Sequence, residues 1–101
     1  MLPDAKRMVL WKNMISKISS FSHNIDSLQY LYLSDNKIKD ISTSVGSLKK
    51  LKVLDLSRNI DLEYIPSSIC KCEKLEELYL NETRVEDFPA DMDELINLRI
   101  L

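Results

Sequence analysis

The chain has little of the residue types on which most catalytic and nucleotide-binding motifs depend. It contains one glycine and one histidine in 101 residues. A phosphate-binding loop needs glycines at more than one fixed position, so a chain with only Gly46 has no such loop and is not expected to bind a nucleotide. His23 lies near Ser20 and Ser22, but no carboxylate is placed by the pattern to orient it. We therefore expect no enzymatic activity and no cofactor.

Cysteine is also scarce. The two cysteines, Cys70 and Cys72, are separated by one residue and match no zinc-binding spacing. Small secreted domains usually carry several disulfide bridges, so a disulfide framework is not expected either. We interpret Cys72 as a small core residue with Cys70 beside it in a reducing compartment, which favours a cytoplasmic location.

Long apolar runs and a basic excess are absent as well. No run of about 18 apolar residues exists, so no membrane span is expected. Lys and Arg number 14 against 16 Asp and Glu, whereas nucleic acid and anionic membranes attract clustered basic residues. Asp4, Lys6 and Arg7 stand where a signal peptide would have its apolar core, so none is expected. The acidic residues between Glu82 and Glu94 lack the spacing of a calcium loop, and we expect a solvated acidic edge without a metal.

The chain does contain a recurring leucine pattern. Leu51–Asn59 reads LKVLDLSRN, which is L-x-x-L-x-L-x-x-N, and LQYLYLSDN and LEELYLNET repeat it. The pattern starts at Leu28, Leu51, Leu75 and Leu98, at steps of 23 or 24 residues, within the range of a leucine-rich repeat. The sequence therefore predicts an α/β leucine-rich-repeat solenoid, a short horseshoe arc. Its parallel sheet would line the concave face, with short helical or extended connectors on the convex side.

The whole chain, 1–101, is predicted to be one domain of stacked units. The units cover approximately residues 5–27, 28–50, 51–74 and 75–97, with a partial unit at 98–101 that places Leu98 at the first leucine position. Unit three has one extra residue between Asn59 and Leu62, which predicts an outward loop. The closing position of the pattern holds Asn13, Asn36, Asn59 and, in unit four, Thr83. A buried amide there can bond backbone groups that the strands leave unpaired.

Alternation along each strand turns the leucines inward and the intervening residues outward. The outward positions collect Trp11, Tyr30, Tyr32 and Tyr79, and the position after the last leucine holds Trp11, Ser34, Ser57 and Asn81. Aromatic and arginine side chains often anchor protein interfaces. The alternative is that the tyrosines only support one another as cross-strand neighbours. The predicted protein-binding residues are Arg7, Trp11, Tyr30, Tyr32, Asp35, Asp55, Arg58, Tyr79, Asn81 and Glu82.

The amino-acid sequences of the repeats also resemble those of a known family. The segments KRMVLWKNMISKIS, LKVLDLSRNIDLEYIPSSI and LEELYLNETRVEDFPADMDELINLRIL resemble the repeat region of plant nucleotide-binding leucine-rich-repeat immune receptors, especially the coiled-coil class. The matching residues of the last segment are Thr83, Val85, Pro89, Met92, Leu95, Leu98 and Arg99. This resemblance implies a non-catalytic role in the defence response. The implied partner is a pathogen effector, a guarded host protein or the nucleotide-binding domain of the same receptor.

The chain departs from that family in what it lacks. It has no coiled coil and no phosphate loop, so it resembles a fragment that could bind but not signal alone. The competing interpretation is a free-standing intracellular scaffold whose repeats bring signalling proteins together. Both interpretations predict a protein partner and no nucleic acid.

Overall fold

A computed structural model describes residues 7–9, 17–18, 27–95 and 97–101, and shows the predicted leucine-rich-repeat solenoid. Each unit contributes one short strand to a shared sheet. In the described residues the strands are β1 (Arg7–Val9), β2 (Lys17–Ile18), β3 (Tyr30–Tyr32), β4 (Asp40–Ile41), β5 (Val53–Asp55), β6 (Glu77–Tyr79) and β7 (Arg99–Ile100). The connectors carry 3₁₀ helices at Thr43–Ser47, Ser67–Lys71 and Ala90–Glu94.

The main sheet has the order β1-β3-β5-β6-β7, and all of its pairs are parallel. Leu31 lies opposite Leu54, which lies opposite Leu78, so the middle leucines of three units form one inward row. A second, two-stranded sheet pairs β2 with β4 in parallel. The prediction of a parallel sheet with short helical or extended connectors is therefore confirmed.

The core lies between the main sheet and the 3₁₀ helices. Leu31, Leu54 and Leu78 from the sheet pack with Val45 and Ile69 from the helices, and all five are at most 1% exposed. Burying a leucine or isoleucine side chain fully contributes roughly 1.5–3 kcal/mol. Because units two to four supply apolar residues at equivalent inward positions, each of these layers is stabilised by the layer beside it.

The two cysteines belong to this arrangement. Cys72 is fully buried, Cys70 is half-buried, and both are free thiols. The Cys72 thiol donates a hydrogen bond to the carbonyl oxygen of Val45 at 3.2 Å. Burial raises the pKa of Cys72 to about 11, so this thiol stays protonated at neutral pH. The interpretation of Cys72 as a core residue agrees with this geometry.

The single glycine has a packing role. Gly46 is buried in the Thr43–Ser47 helix, and a Cβ atom added there would lie 2.8 Å from the carbonyl oxygen of Ser68. Pro66 and Pro89 precede the next two helices with φ of −67° and −55°, values that the proline ring favours. These residues fix how closely neighbouring connectors stack.

Asn59 connects two units at the end of β5. Its Nδ2 donates to the carbonyl oxygens of Leu56 at 2.7 Å and Leu33 at 3.1 Å, and its Oδ1 accepts from the Ile38 amide at 3.0 Å. Asn36 similarly donates from Nδ2 to Leu33 O at 3.0 Å. Both asparagines are buried, as is expected of amides that replace missing strand hydrogen bonds. Asn13 lies outside the described residues.

The residues directly before Asn36, Asn59 and Thr83 adopt a left-handed conformation. Asp35, Arg58 and Glu82 have φ of 56°, 58° and 59°, although none is glycine. Such a conformation costs roughly 1–3 kcal/mol for a residue with a side chain and persists where the surroundings enforce it. In each case the next residue, Asn36, Asn59 or Thr83, makes a side-chain hydrogen bond to a backbone carbonyl group of the same turn.

The last strand departs from the predicted register. A start at Leu98 would place Leu101 opposite Leu78, but the structure pairs Ile100 with Leu78 and Arg99 with Glu77. Leu98 still donates its amide to Leu95 O, as Leu75 does to Cys72 O, so the step from this turn into the strand is one residue shorter. The shift sets Arg99 beside Glu77, where the two side chains pair.

Candidate protein-interaction surface

The strand register gathers the outward residues into two rows. One row runs from Arg7 through Tyr30, Val53 and Glu77 to Arg99, and the other from Val9 through Tyr32 and Asp55 to Tyr79. Neighbouring strands lie about 4.8 Å apart, so these side chains are direct neighbours. We call this surface, with the turns that follow the strands, the concave face. Its described members from β3 onward are Tyr30, Tyr32, Asp35, Val53, Asp55, Arg58, Glu77, Tyr79, Asn81, Glu82 and Arg99.

Glu77 is the centre of a three-residue network on this face. The hydroxyl of Tyr79 donates to Glu77 Oε1 at 2.7 Å, and Nη2 of Arg99 donates to Oε2 at 2.8 Å. The Tyr79 hydrogen bond, helped by Arg99, lowers the pKa of Glu77. The same carboxylate raises the pKa of Tyr79. At neutral pH the network therefore holds an ionised carboxylate and a neutral phenol, and it orients the Tyr79 ring.

Asp55 occupies the middle of the other row. Its Oδ1 accepts hydrogen bonds from the backbone amide of Ser57 at 3.0 Å and from the Ser57 hydroxyl at 2.7 Å. Both bonds lie within the turn after β5, and they fix the direction in which the carboxylate points. The residues opposite Asp55 on the two neighbouring strands are Tyr32 and Tyr79.

The row after the last leucine differs from its prediction. Ser34 and Ser57 are buried at 8% and 6% exposure, so they do not contribute side chains to the concave face. The chain has already begun its turn there, and the Asn36 and Asn59 side chains bond the carbonyl groups of these serines. Asn81 in unit four is exposed, as predicted. Only one described member of this row is available to a partner.

The left-handed residues form the edge of the concave face. Arg58 Nε lies 3.0 Å from Asp35 Oδ1, and this hydrogen bond raises the pKa of Arg58, with weaker attraction from Glu82 and Asp55. Beside this ion pair is an open cavity of about 310 Å³, which Ile60 also lines. Ile60 is 62% exposed, so the edge offers an apolar contact next to charged groups. The outward loop predicted for unit three is the turn that carries Ile60 and Asp61.

The charges on the described concave face are unbalanced. From β3 onward, four acidic residues accompany two arginines, and both arginines are in ion pairs, Arg58 with Asp35 and Arg99 with Glu77. Arg7 of β1 continues the row of Tyr30 and adds a third basic residue. Within the described residues no ion pair involves Asp55 or Glu82, the other two acidic members. The face therefore combines aromatic rings with an excess of negative charge.

The predicted binding residues fall into two groups. Tyr30, Tyr32, Asp35, Asp55 and Tyr79 are half-buried on the described face, while the exposed members are Arg58, Asn81 and Glu82. Arg7 belongs to β1, which pairs Arg7 with Tyr30, and Trp11 lies outside the described residues.

Sequence reasoning did not select Glu77 or Arg99 as site residues. Their opposite charges could have indicated an ion pair. The regular period of the leucines, however, predicts a register in which Arg99 and Glu77 are not neighbours. The hydrogen bond from Tyr79 to Glu77 shows that this tyrosine supports a residue of its own sheet, as the alternative interpretation of the tyrosines expects. Tyr79 is still only half-buried, so support within the sheet does not prevent contact with a partner.

The described residues also bear on metal binding and on membrane insertion. No group of three or more His, Cys, Asp or Glu side chains there is arranged to hold a metal ion. The acidic residues Glu86, Asp87, Asp91, Asp93 and Glu94 are exposed, as expected for a solvated edge. Among the helices of these same residues, none has the length and apolar character to cross a membrane. His23 lies outside the described part of the chain.

The sequence profile of a family described as a leucine-rich repeat region matches residues 12–101. The chain belongs to the leucine-rich-repeat family. It is 36% identical over 97 residues to the probable disease resistance protein At1g61190 of Arabidopsis thaliana, which covers 95% of this chain. It is 38% identical over 80 residues to TMV resistance protein N of Nicotiana glutinosa, covering 73% of this chain. The resemblance to plant disease resistance proteins is thus confirmed.

The relatives are much longer than this chain. The match spans 10% of the At1g61190 protein and 7% of TMV resistance protein N. Among solved structures, the plant peptide hormone receptor RGFR1 in complex with RGF2 superposes with a TM-score of 0.79 and 31% identity, over 97% of this chain and 16% of the receptor. A leucine-rich-repeat protein of Leptospira interrogans gives a TM-score of 0.75 at 28% identity, over 98% of this chain and 26% of that one. This leucine-rich-repeat region is a protein-interaction module.

Proposed function

We propose that this chain is the partner-recognition part of a plant immune receptor, and that its concave face binds a protein. The observation that carries the proposal is the gathering of Tyr30, Tyr32 and Tyr79 on one sheet face with charged neighbours. Tyrosine rings bury much area at low entropic cost and keep a polar tip for hydrogen bonds. The disease resistance relatives support the immune role, and the hormone-bound receptor is a solved example of the same fold with a peptide.

The partner in this proposal is a pathogen effector, a guarded host protein or the nucleotide-binding domain of the longer receptor. Binding to the last of these would restrain the receptor until an effector competes for the same face. The location is cytoplasmic, where such partners are found. The chain acts by binding and performs no chemistry, and signalling needs the remainder of the longer protein.

A capture experiment with a matched control tests the proposal. The immobilised chain is exposed to extract from infected plant tissue, and its partners are compared with those of Tyr32→Ala/Tyr79→Ala. The control is Tyr64→Ala, because Tyr64 is a tyrosine outside the concave face and is 71% exposed. We expect the double variant to lose partners that the control retains, with each partner then verified as a purified protein.

Two results would contradict this proposal. If the double variant and the Tyr64→Ala control retain the same partners with equal affinity, the concave tyrosines do not bind. If every verified partner that depends on them is a host signalling enzyme with no link to defence, the free-standing scaffold is the better interpretation. Circular dichroism of each variant checks that the fold is kept.

A further inference from the structure

Asp55 lies between two aromatic side chains on the concave face. Tyr32 is its partner on β3 and Tyr79 is its partner on β6, so all three side chains leave the same face of the sheet. With strands about 4.8 Å apart, the two tyrosine backbones are separated by roughly 10 Å, with the carboxylate between them. That separation suits one long side chain entering between the rings.

The Asp55 carboxylate is oriented but not neutralised. Both hydrogen bonds that described residues donate to it, from the amide and hydroxyl of Ser57, end on Oδ1. Arg58 is attracted only weakly to Asp55, and its Nε is committed to Asp35 at 3.0 Å. Arg99 is bound to Glu77 on the neighbouring row. Oδ2 therefore remains for a donor from outside this face.

We infer that the row Tyr32, Asp55 and Tyr79 receives a basic side chain of the partner, an arginine or a lysine. The cation would contact the tyrosine rings through their electron-rich faces and pair with Asp55 Oδ2. An arginine fits best, because its planar guanidinium stacks on an aromatic ring and donates to a carboxylate at once. This inference rests on the proposed function and specifies the partner surface as basic at the point of contact.

The test uses short peptides as probes. The full 101-residue chain, labelled with ¹⁵N, is titrated with the acetylated and amidated pentapeptide Gly-Gly-Arg-Gly-Gly and, separately, with Gly-Gly-Gln-Gly-Gly. We expect the arginine peptide to shift the amide signals of Tyr32, Asp55 and Tyr79 in a saturable way. The glutamine peptide should bind about fivefold or more weakly, because it retains length and polarity but lacks the cation.

Two substitutions with the same change in charge separate a specific pocket from general attraction. Asp55→Asn removes the negative charge but keeps an oxygen that can accept the Ser57 bonds, so the turn is preserved. Asp91→Asn removes the same charge from the exposed acidic edge. We expect Asp55→Asn to weaken the arginine peptide about fivefold or more and Asp91→Asn to leave its affinity unchanged.

The inference is overturned if Asp91→Asn weakens binding as much as Asp55→Asn, if the glutamine peptide binds equally well, or if no signal in the row shifts. Its failure is distinguishable from failure of the proposed function. A captured partner that depends on Tyr32 and Tyr79 but binds equally to Asp55→Asn would remove the cation pocket and keep the protein-binding role. If the chain binds the arginine peptide but captures no partner, the cation pocket is kept and the protein-binding role is lost.

Discussion

The junction between units two and three differs from the junction between units three and four. At the first, Asn59 reaches into the preceding unit, donating to Leu33 O and accepting from the Ile38 amide. At the second, Thr83 Oγ1 donates only to Leu80 O of its own unit, at 2.7 Å, and accepts weakly from the Val85 amide at 3.4 Å. The closing residue of the pattern therefore joins the two units only at the first junction. At the second, the side-chain contacts between units are the exposed pair of Arg84 and Glu63 at 3.8 Å and the Cys70–Met92 sulfur contact at 3.9 Å.

The extra residue in unit three explains why the second junction is stable without an asparagine. It gives the loop enough length for the Leu62 amide to bond Asn59 O at 3.0 Å, so this amide does not need the side chain of the next unit. Leu62 O then accepts the Arg84 amide at 2.8 Å, a direct backbone link between the two units. Units can therefore satisfy the same backbone groups through a side chain or through loop length.

The largest effect is expected from Asn59→Leu. This change keeps a similar volume but removes the side-chain partner of the Ile38 amide and of the Leu56 carbonyl oxygen, while Leu33 O keeps only its bond from Asn36. Each buried group left unsatisfied costs about 1–3 kcal/mol, so we expect the free energy of unfolding to fall by about 3 kcal/mol or more. Urea unfolding followed by circular dichroism measures the loss.

The reactivity of Cys72 gives a local readout of the same change. The Cys72 thiol is buried and bonded to Val45 O across this junction, so thiol reagents should reach it only when the junction opens. Labelling of Cys72 should accelerate in Asn59→Leu. A Cys72 labelling rate equal to that of the unsubstituted chain would show that Asn59 does not hold units two and three together.

Thr83→Val should have a smaller effect. The side chain keeps its shape and loses one hydroxyl, whose main partner is Leu80 O within the same unit. We expect a loss of about 1 kcal/mol, and no acceleration of Cys72 labelling, because the two junctions are independent. A loss as large as that of Asn59→Leu would contradict the idea that the extra residue in unit three replaces the asparagine.

The smallest effect on stability is expected from Tyr79→Phe, which tests the network on the concave face. Removing the hydroxyl removes the main cause of the low pKa of Glu77, so the pKa of Glu77 should rise toward its usual value. The Glu77 interactions stabilise the fold above the pKa of unfolded glutamate, and this stability is lost as pH falls through the lower folded pKa. Tyr79→Phe should therefore lose less stability than the unsubstituted chain on acidification.

An NMR titration of the Glu77 carboxyl carbon measures this pKa directly, with Arg99→Gln as the comparison. A glutamine at position 99 can still donate a hydrogen bond to Glu77, so Arg99→Gln removes mainly the charge attraction, which is a smaller cause of the low pKa than the Tyr79 bond. Arg99→Gln should therefore shift the pKa of Glu77 less than Tyr79→Phe does. The opposite ranking would show that the ion pair controls Glu77.

The sequence predicted the strands and their pairing in the segments where the spacing of the leucines allows only one register. Leu28, Leu31 and Leu33, with their equivalents in units three and four, determine which residues of β3, β5 and β6 face inward. The segment Leu98–Leu101 offers three apolar residues in four, so apolar pattern alone allowed two registers, and the pairing with Glu77 accompanies the one observed. Backbone turns were also hidden, because no glycine marks the left-handed positions.

The candidate site was predicted in part for the same reason. Alternation brought Tyr32, Asp55 and Tyr79 into one row, as the structure shows. It could not reveal that Ser34 and Ser57 turn inward, because the strand ends one residue earlier than the leucine pattern suggests. That the concave residues bind a protein stays a prediction.

At the left-handed turns the backbone conformation does not depend on the charge of the side chain. Asp35, Arg58 and Glu82 share nearly the same φ, between 56° and 59°, yet one carries a positive charge and the others are negative. The turn therefore accepts either charge at this position without a change in backbone. Units two, three and four each offer one position at the rim where a substitution changes the displayed charge while the solenoid stays the same.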